Sequence, residues 1–231
     1  MKDILTEILA QNEVSREDAE KMALYGEYLI KENEKYNLTR IISVDELAEK
    51  HFLDSLSIFD LPGIDFDTEV LDIGTGPGFP GIPYAIVRKK ANVTLLDSSG
   101  KKIDFIDRGI KLIDINNAVT VLGRAEDIVK DRREQYGLAI SRAVAPFNIL
   151  LELAAGFVKC GGTFVAYKGA SAEKEVAEAG SSYKILGFGA PEIVNADLRD
   201  FDHKFVVMKK EKETPLKYPR SYGAIKKNPL K

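Results

Sequence analysis

Four places in this chain put acids, an arginine or flexible backbone where a ligand with several polar groups could be gripped. The first is Asp72, followed by Gly74, Gly76 and Gly78 and closed by Phe79-Pro80-Gly81. Glycine lacks a Cβ, so such a run can turn with positive φ and let a ligand approach the main chain closely. A dinucleotide fingerprint would place its third glycine at position 79, which is Phe79, so the pyrophosphate-binding spacing is absent. The second place is Asp97, 19 residues after Gly78, where an acid can accept both hydroxyls of a ribose. The third is Arg124-Ala125-Glu126, suited to an adenine contact through a main-chain amide and a carboxylate. The fourth is Ser141-Arg142-Ala143. No metal chemistry is expected, because one cysteine and two histidines, His51 and His203, form no ligand cluster.

The elements that must carry these residues follow from hydrophobic periodicity. From Glu69 onward, short apolar runs alternate with helical patterns, which implies a parallel sheet with right-handed crossovers. Strands are expected at 70–73, 93–97, 118–122, 138–141, 163–167, 184–189 and 204–209. Helices are expected at 80–88, 100–113, 125–133, 146–158 and 171–179. All four polar places then lie at the carboxyl ends of strands, where open α/β sheets bind ligands. An acid at a strand end before a GxGxG loop is similar to the first motif of class I S-adenosylmethionine (SAM) methyltransferases. That cofactor has no pyrophosphate to cradle but carries an ammonium that a carboxylate such as Asp72 can hold.

Upstream, residues 1–62 read as a helical lead-in. Ser15 with Asp18, and Ser43 with Glu46, are spaced as helix N-caps. The helix after Ser43 has the stripe Val44, Leu47, Ala48, His51, Phe52, Ser55, Leu56 and Phe59, which buries His51 as a hydrogen-bonded core histidine. Residues 63–210 are expected to be the SAM-binding core and 211–231 a basic tail, all within one domain. At 231 residues and 45% hydrophobic, the chain can bury a core of ordinary size. No apolar run spans a membrane and the N-terminus lacks a signal-peptide pattern. Cys160 is alone, so a reducing, cytoplasmic setting is expected, with a monomer as the working form. The net charge of −3 conceals nine basic residues from Lys204 onward against only Glu211 and Glu213. Pro215, Pro219 and Pro229 make that tail a poor candidate for regular structure, and its charge suits a polyanion.

The methyl acceptor is narrowed by elimination. Ser141-Arg142-Ala143-Val144 lacks the Asn/Asp-Pro-Pro-aromatic run of amino-group methyltransferases. Cys160 falls between a helix and a strand, away from any place a pyrimidine-attacking thiolate would need. The acid of a ribose 2′-O tetrad is missing at the fourth strand end. Acceptors that need no general base remain, guanine N7 among them.

Several motifs together resemble the bacterial RsmG (GidB) family. They are Tyr36-Asn37-Leu38-Thr39, His51-Phe52-Leu53-Asp54-Ser55-Leu56, Asp72 through Gly81, Leu96-Asp97-Ser98 with Lys101-Lys102, Arg124-Ala125-Glu126, Ser141-Arg142-Ala143-Val144 and Tyr218-Pro219-Arg220. Pro77 and Ser99-Gly100 depart from the usual pattern without touching charged groups. The resemblance implies SAM-dependent methylation of guanine N7 in the 530 loop of 16S rRNA. It implies cofactor contacts at Gly74, Phe79, Asp97, Ala125, Glu126 and Arg142, with Asp72 and Gly76 belonging to the same loop, and no catalytic base. The expected partner is 16S rRNA or the small ribosomal subunit, met by Arg124, Arg142, Arg220, Lys226 and Lys227. The alternatives are a class I methyltransferase for another RNA, a small molecule or a protein, and an RNA-binding module without turnover.

Overall fold

The computed structural model describes residues 1–196 and 203–231. The lead-in begins with α1 (Lys2–Gln11) and α2 (Arg16–Tyr36). Ser15 caps α2, accepting from the Asp18 N–H at 3.2 Å, and Asn37 ends it in the left-handed region. The Ser43 hydroxyl likewise accepts from the Glu46 N–H, opening α3 (Val44–Glu46). The sequence reads as one helix from here, but the backbone widens into a π-helical stretch at Leu47–Leu53. It tightens again through α4 (Asp54–Leu56) and a 3-10 turn at Ser57–Asp60. Such widened turns commonly sit at functional sites. This one turns the Lys50 carbonyl, His51 and Asp54 toward Arg142.

The alternating half follows as β1 (Glu69–Ile73), α5 (Gly81–Val87), β2 (Asn92–Asp97), α6 (Gly100–Leu112), β3 (Ala118–Leu122), α7 (Ala125–Ile128), β4 (Tyr136–Arg142) and α8 (Phe147–Ala155). It ends with β5 (Val158–Lys168), α9 (Ala172–Ala179), α10 (Ser182–Ile185), β6 (Glu192–Asn195), β7 (Lys204–Lys209) and α11 (Tyr222–Lys227). The sheet order is β3-β2-β1-β4-β5-β7-β6, parallel except where β7 runs against β5 and β6. Successive side chains of a strand face opposite ways. Val70 therefore belongs to the core that includes the lead-in residues Tyr25, Leu29 and Phe52, while Leu71 belongs to a second core with Leu150, Phe157 and Phe164 on the other face. Strand order reverses between β1 and β4, which opens a crevice at their carboxyl ends.

Four expectations are corrected. The strand expected at 184–189 is instead α10 and a turn at Gly187 (φ +84°), and the edge strand lies at Glu192–Asn195. Leu186 and Phe188 are both buried, so their i, i+2 spacing imitates a strand. β5 starts at Val158 rather than at 163, because Gly161 (φ +80°) lets the chain bend within the strand. α7 stops at Ile128, and downstream Arg133 turns to the tail, donating to the carbonyls of Thr214, Pro215 and Tyr218. The tail itself contains α11. Its prolines flank that helix at 219 and 229 instead of interrupting it. Among the described residues, no helix is long and apolar enough to cross a membrane, and no group of His, Cys, Asp and Glu is arranged to hold a metal.

Candidate active site

The glycine loop after β1 is fastened on three sides. Gly74 and Thr75 N–H groups donate to the Leu96 carbonyl at 2.8 and 3.0 Å, tying the loop to β2. Tyr25 of α2 donates its hydroxyl to the Pro77 carbonyl at 2.9 Å. A Cβ on Gly78 would lie 2.6 Å from that same hydroxyl, so only glycine fits beneath the lead-in helix. Gly76 N–H donates to Asp97 Oδ2 at 3.0 Å, and Ser99 N–H to Asp97 Oδ1 at 2.9 Å. Asp97 thus organises the loop as well as facing the crevice.

A cavity of about 190 Å³ opens there, lined by Ile73, Gly74, Leu96, Asp97 and Ser98 from β1 and β2 and by Gly123 through Glu126 after β3. Val144, Leu153 and Tyr222 complete it. Ala143 holds the left-handed conformation (φ +56°), a backbone state that costs energy for a residue with a Cβ. It lays Val144 against the loop: a Cβ on Gly74 would sit 2.4 Å from Val144 Cγ2. Arg124 Nε donates to Glu126 Oε1 at 2.8 Å, and its guanidinium lies 5.0 Å over the Tyr222 ring.

Of the residues expected in the site, Gly74, Asp97, Arg124, Ala125 and Glu126 are brought together around this cavity. The others lie outside its lining. Asp72 is fully buried and accepts from the Gly81 N–H at 2.9 Å through Oδ2, which holds the loop, while its Oδ1 has no hydrogen-bond partner among the described residues. Phe79 is buried against Tyr25 and Phe52 and stacks on His51 with ring centroids 4.5 Å apart. Arg142 points into the lead-in, donating to the Lys50 carbonyl (2.9 Å), to Asp54 and to His51 Nδ1 (3.2 Å). Arg220 donates through Nε and Nη2 to fully buried Glu152 at 2.9 and 2.6 Å, which makes it an anchor of the tail. Lys226 and Lys227 are exposed on α11.

His51 is the buried, hydrogen-bonded histidine its stripe implies. Arginine only donates, so His51 Nδ1 is the acceptor and the ring proton sits on Nε2, which donates to Thr39 Oγ1 at 2.9 Å. Asp54, with Arg142 on one oxygen and the His203 Nδ1–H on the other, completes this cluster. Sequence reasoning missed the part played by Asp54, although it lies three residues after His51 on the same helical face. It also missed Tyr222.

Two titrations in this region oppose each other. Burial, reinforced by the Arg142 charge, lowers the His51 pKa from 6.5 to about 4. The unfolded chain then takes up a proton the fold refuses, so stability is lost as pH falls from 6.5 toward 4, by about 3 kcal/mol in all. Burial raises Asp72 from 3.8 to about 7 against the pull of the Thr75 hydroxyl and the Gly81 N–H. There the fold keeps a proton that the unfolded chain releases, so stability is lost as pH rises from 3.8 toward 7. Each group changes the proton count by one, so the two slopes cancel between about pH 4 and 6.5. Asp72→Asn should remove one of them. Urea unfolding at pH 4.5 and 6.5 should show the variant gaining stability relative to wild type as pH rises, and parallel profiles would refute this account of Asp72.

The sheet order and a switch-point cavity edged by Asp97 and Glu126 define a class I SAM-dependent methyltransferase. The lining suits the cofactor, offering apolar walls for a purine and carboxylates for hydroxyl and amino groups. The likeness to the M. jannaschii TYW2 structure with AdoMet bears on the fold (TM-score 0.54, 16% identity, 73% of this chain and 76% of that one). The family model for rRNA small subunit methyltransferase G (GidB) matches residues 18–200, and the chain belongs to that family. Proteins of that name from Clostridium beijerinckii and Clostridium botulinum are 43% and 45% identical to it. The first alignment covers 95% of this chain and 93% of its relative, the second 86% and 85%.

Proposed function

We propose that the protein transfers the methyl group of SAM to N7 of a guanine in the 530 loop of 16S rRNA, working as a single-domain cytoplasmic monomer on rRNA or the small subunit. The family match over residues 18–200 carries this reading. SAM supplies an electrophilic methyl on a sulfonium. In this assignment Asp97 accepts the ribose hydroxyls, the Ala125 amide and Glu126 hold the adenine, and Gly74 lines the cavity beside them. Asp72, Gly76, Phe79 and Arg142 keep the loop in shape.

Guanine N7 attacks with its own lone pair, so no side chain has to remove a proton. His51 stacks on Phe79 of the loop, and both its nitrogens are committed, to Thr39 and to Arg142. Alignment is what remains for the protein to supply, and it can lower a barrier by ~7–11 kcal/mol. The deciding experiment maps N7-methylguanine in 16S rRNA from cells with and without this protein. Persistence of the mark in its absence overturns the assignment.

Arg124, half exposed on the cavity rim, and Lys226 and Lys227 on α11 are assigned to RNA. Lys226→Ala with Lys227→Ala should weaken 16S rRNA binding and flatten its salt dependence by about 0.7–0.9 in log–log slope for each phosphate no longer neutralised. A filter-binding titration between about 50 and 200 mM salt with an unchanged slope would place the RNA elsewhere.

A further inference from the structure

Instead of reaching outward, the basic tail returns to the cofactor cavity by a series of fastenings. Lys210, almost fully buried, donates to the Ala155 carbonyl and the Thr214 hydroxyl. Arg133 then gathers the carbonyls of Thr214, Pro215 and Tyr218. The Arg220 N–H donates to Glu152 at 2.9 Å, beside its guanidinium contacts to the same carboxylate. Ile225, fully buried, packs on Ile149 and Leu153 of α8. The turn between these last two anchors delivers Tyr222 to the cavity, among Arg124, Ala125, Glu126 and Leu153.

We propose that Tyr222 is a cofactor-contacting residue: α11 forms the adenine-side wall of the SAM site, and the Tyr222 ring supplies its aromatic surface. This rests on the reading of the cavity as a SAM site. Three features argue that the ring is placed for a ligand and is not merely filling space. It is half-buried although Ile225 of the same helix is wholly buried, so the helix docks through one residue and leaves the other facing the cavity. Its position is held by the Arg124 guanidinium, itself fixed by Glu126, which makes Glu126, Arg124 and Tyr222 one connected unit. Finally, a planar heteroaromatic gains from an aromatic face whatever its substituents.

The chain contains no tryptophan, so Tyr222→Trp introduces a single indole reporter at the proposed contact. Titration with S-adenosylhomocysteine should change its emission saturably, at the dissociation constant that calorimetry gives on the same preparation. In parallel, Tyr222→Ala should weaken S-adenosylhomocysteine and adenosine about tenfold while leaving methionine unaffected, and Tyr222→Phe should bind like wild type. Emission that stays constant while calorimetry registers binding overturns the proposal, as does Tyr222→Ala binding adenosine as tightly as wild type. Failure of the wild type itself to bind S-adenosylhomocysteine would instead overturn the reading of the cavity, and the role of Tyr222 with it.

Discussion

Arg142→Ala should cost the fold about 3–5 kcal/mol, because it strands a buried charge. The Asp54 side chain is 2% exposed and takes its guanidinium partner from Arg142, whose own side chain is 16% exposed. Removing that partner leaves the carboxylate with the His203 N–H and little water. The Lys50 carbonyl and His51 Nδ1 lose a donor in the same step. In a chain of this size, such a loss should appear as a fall in melting temperature of roughly 6–20 °C. Arg142→Lys should rescue little, since one ammonium cannot serve three acceptors arranged for a planar fork. Two further readouts separate a bracing role from a direct one. A double-mutant cycle with Asp54→Asn should show strong coupling, because removing the second charge relieves the first loss. SAM affinity and single-turnover methyl transfer, measured well below the melting point, should fall only as far as the loop loosens. A variant that melts with wild type but transfers no methyl group would place Arg142 at the reacting atoms instead.

The arrangement behind that prediction separates what is readable in the residues from what is not. The glycine loop, Asp97 and the residues after β3 announce themselves because strand periodicity and turn chemistry are local, and the fold sets strand ends side by side. Capping at Ser15 and Ser43 is equally local, a hydroxyl reaching three residues ahead. The destination of Arg142 is not readable. Its partners lie 88 to 92 residues away, on a helix whose π-helical widening leaves no mark in a 3.6-residue stripe. The same holds for the tail, where proline spells a break in helix although all three prolines sit outside α11. One local sign is available: Glu152 stands in the otherwise largely apolar run Phe147 to Ala155, and a carboxylate there must find a cation. What it cannot indicate is that the cation comes from Arg220, 68 residues on.

That pair yields the other large effect. Glu152 is fully buried and accepts three hydrogen bonds from Arg220, one from the backbone and two from the guanidinium. Deleting a partner from such a pair ordinarily costs ~3–5 kcal/mol. Here the chain has an escape that Arg142 lacks. Arg220 belongs to the segment covering Glu152, so the stranded carboxylate can regain water if residues beyond Tyr218 lift away while the sheet stays folded. The loss is then limited to the free energy that docks α11, and it appears as local opening rather than global unfolding. Arg220→Ala should therefore melt closer to wild type than Arg142→Ala does. Trypsin should cut at Lys226 and Lys227 much faster, and amide exchange should rise in 220–227 but not in β4. Glu152→Gln should open the tail less, because a neutral amide left underneath needs less hydration than a charge. Equal protease protection of the tail in wild type and Arg220→Ala would show that Ile225 and the Arg133 contacts hold it alone. The pair would then be a buried charge that contributes nothing to docking.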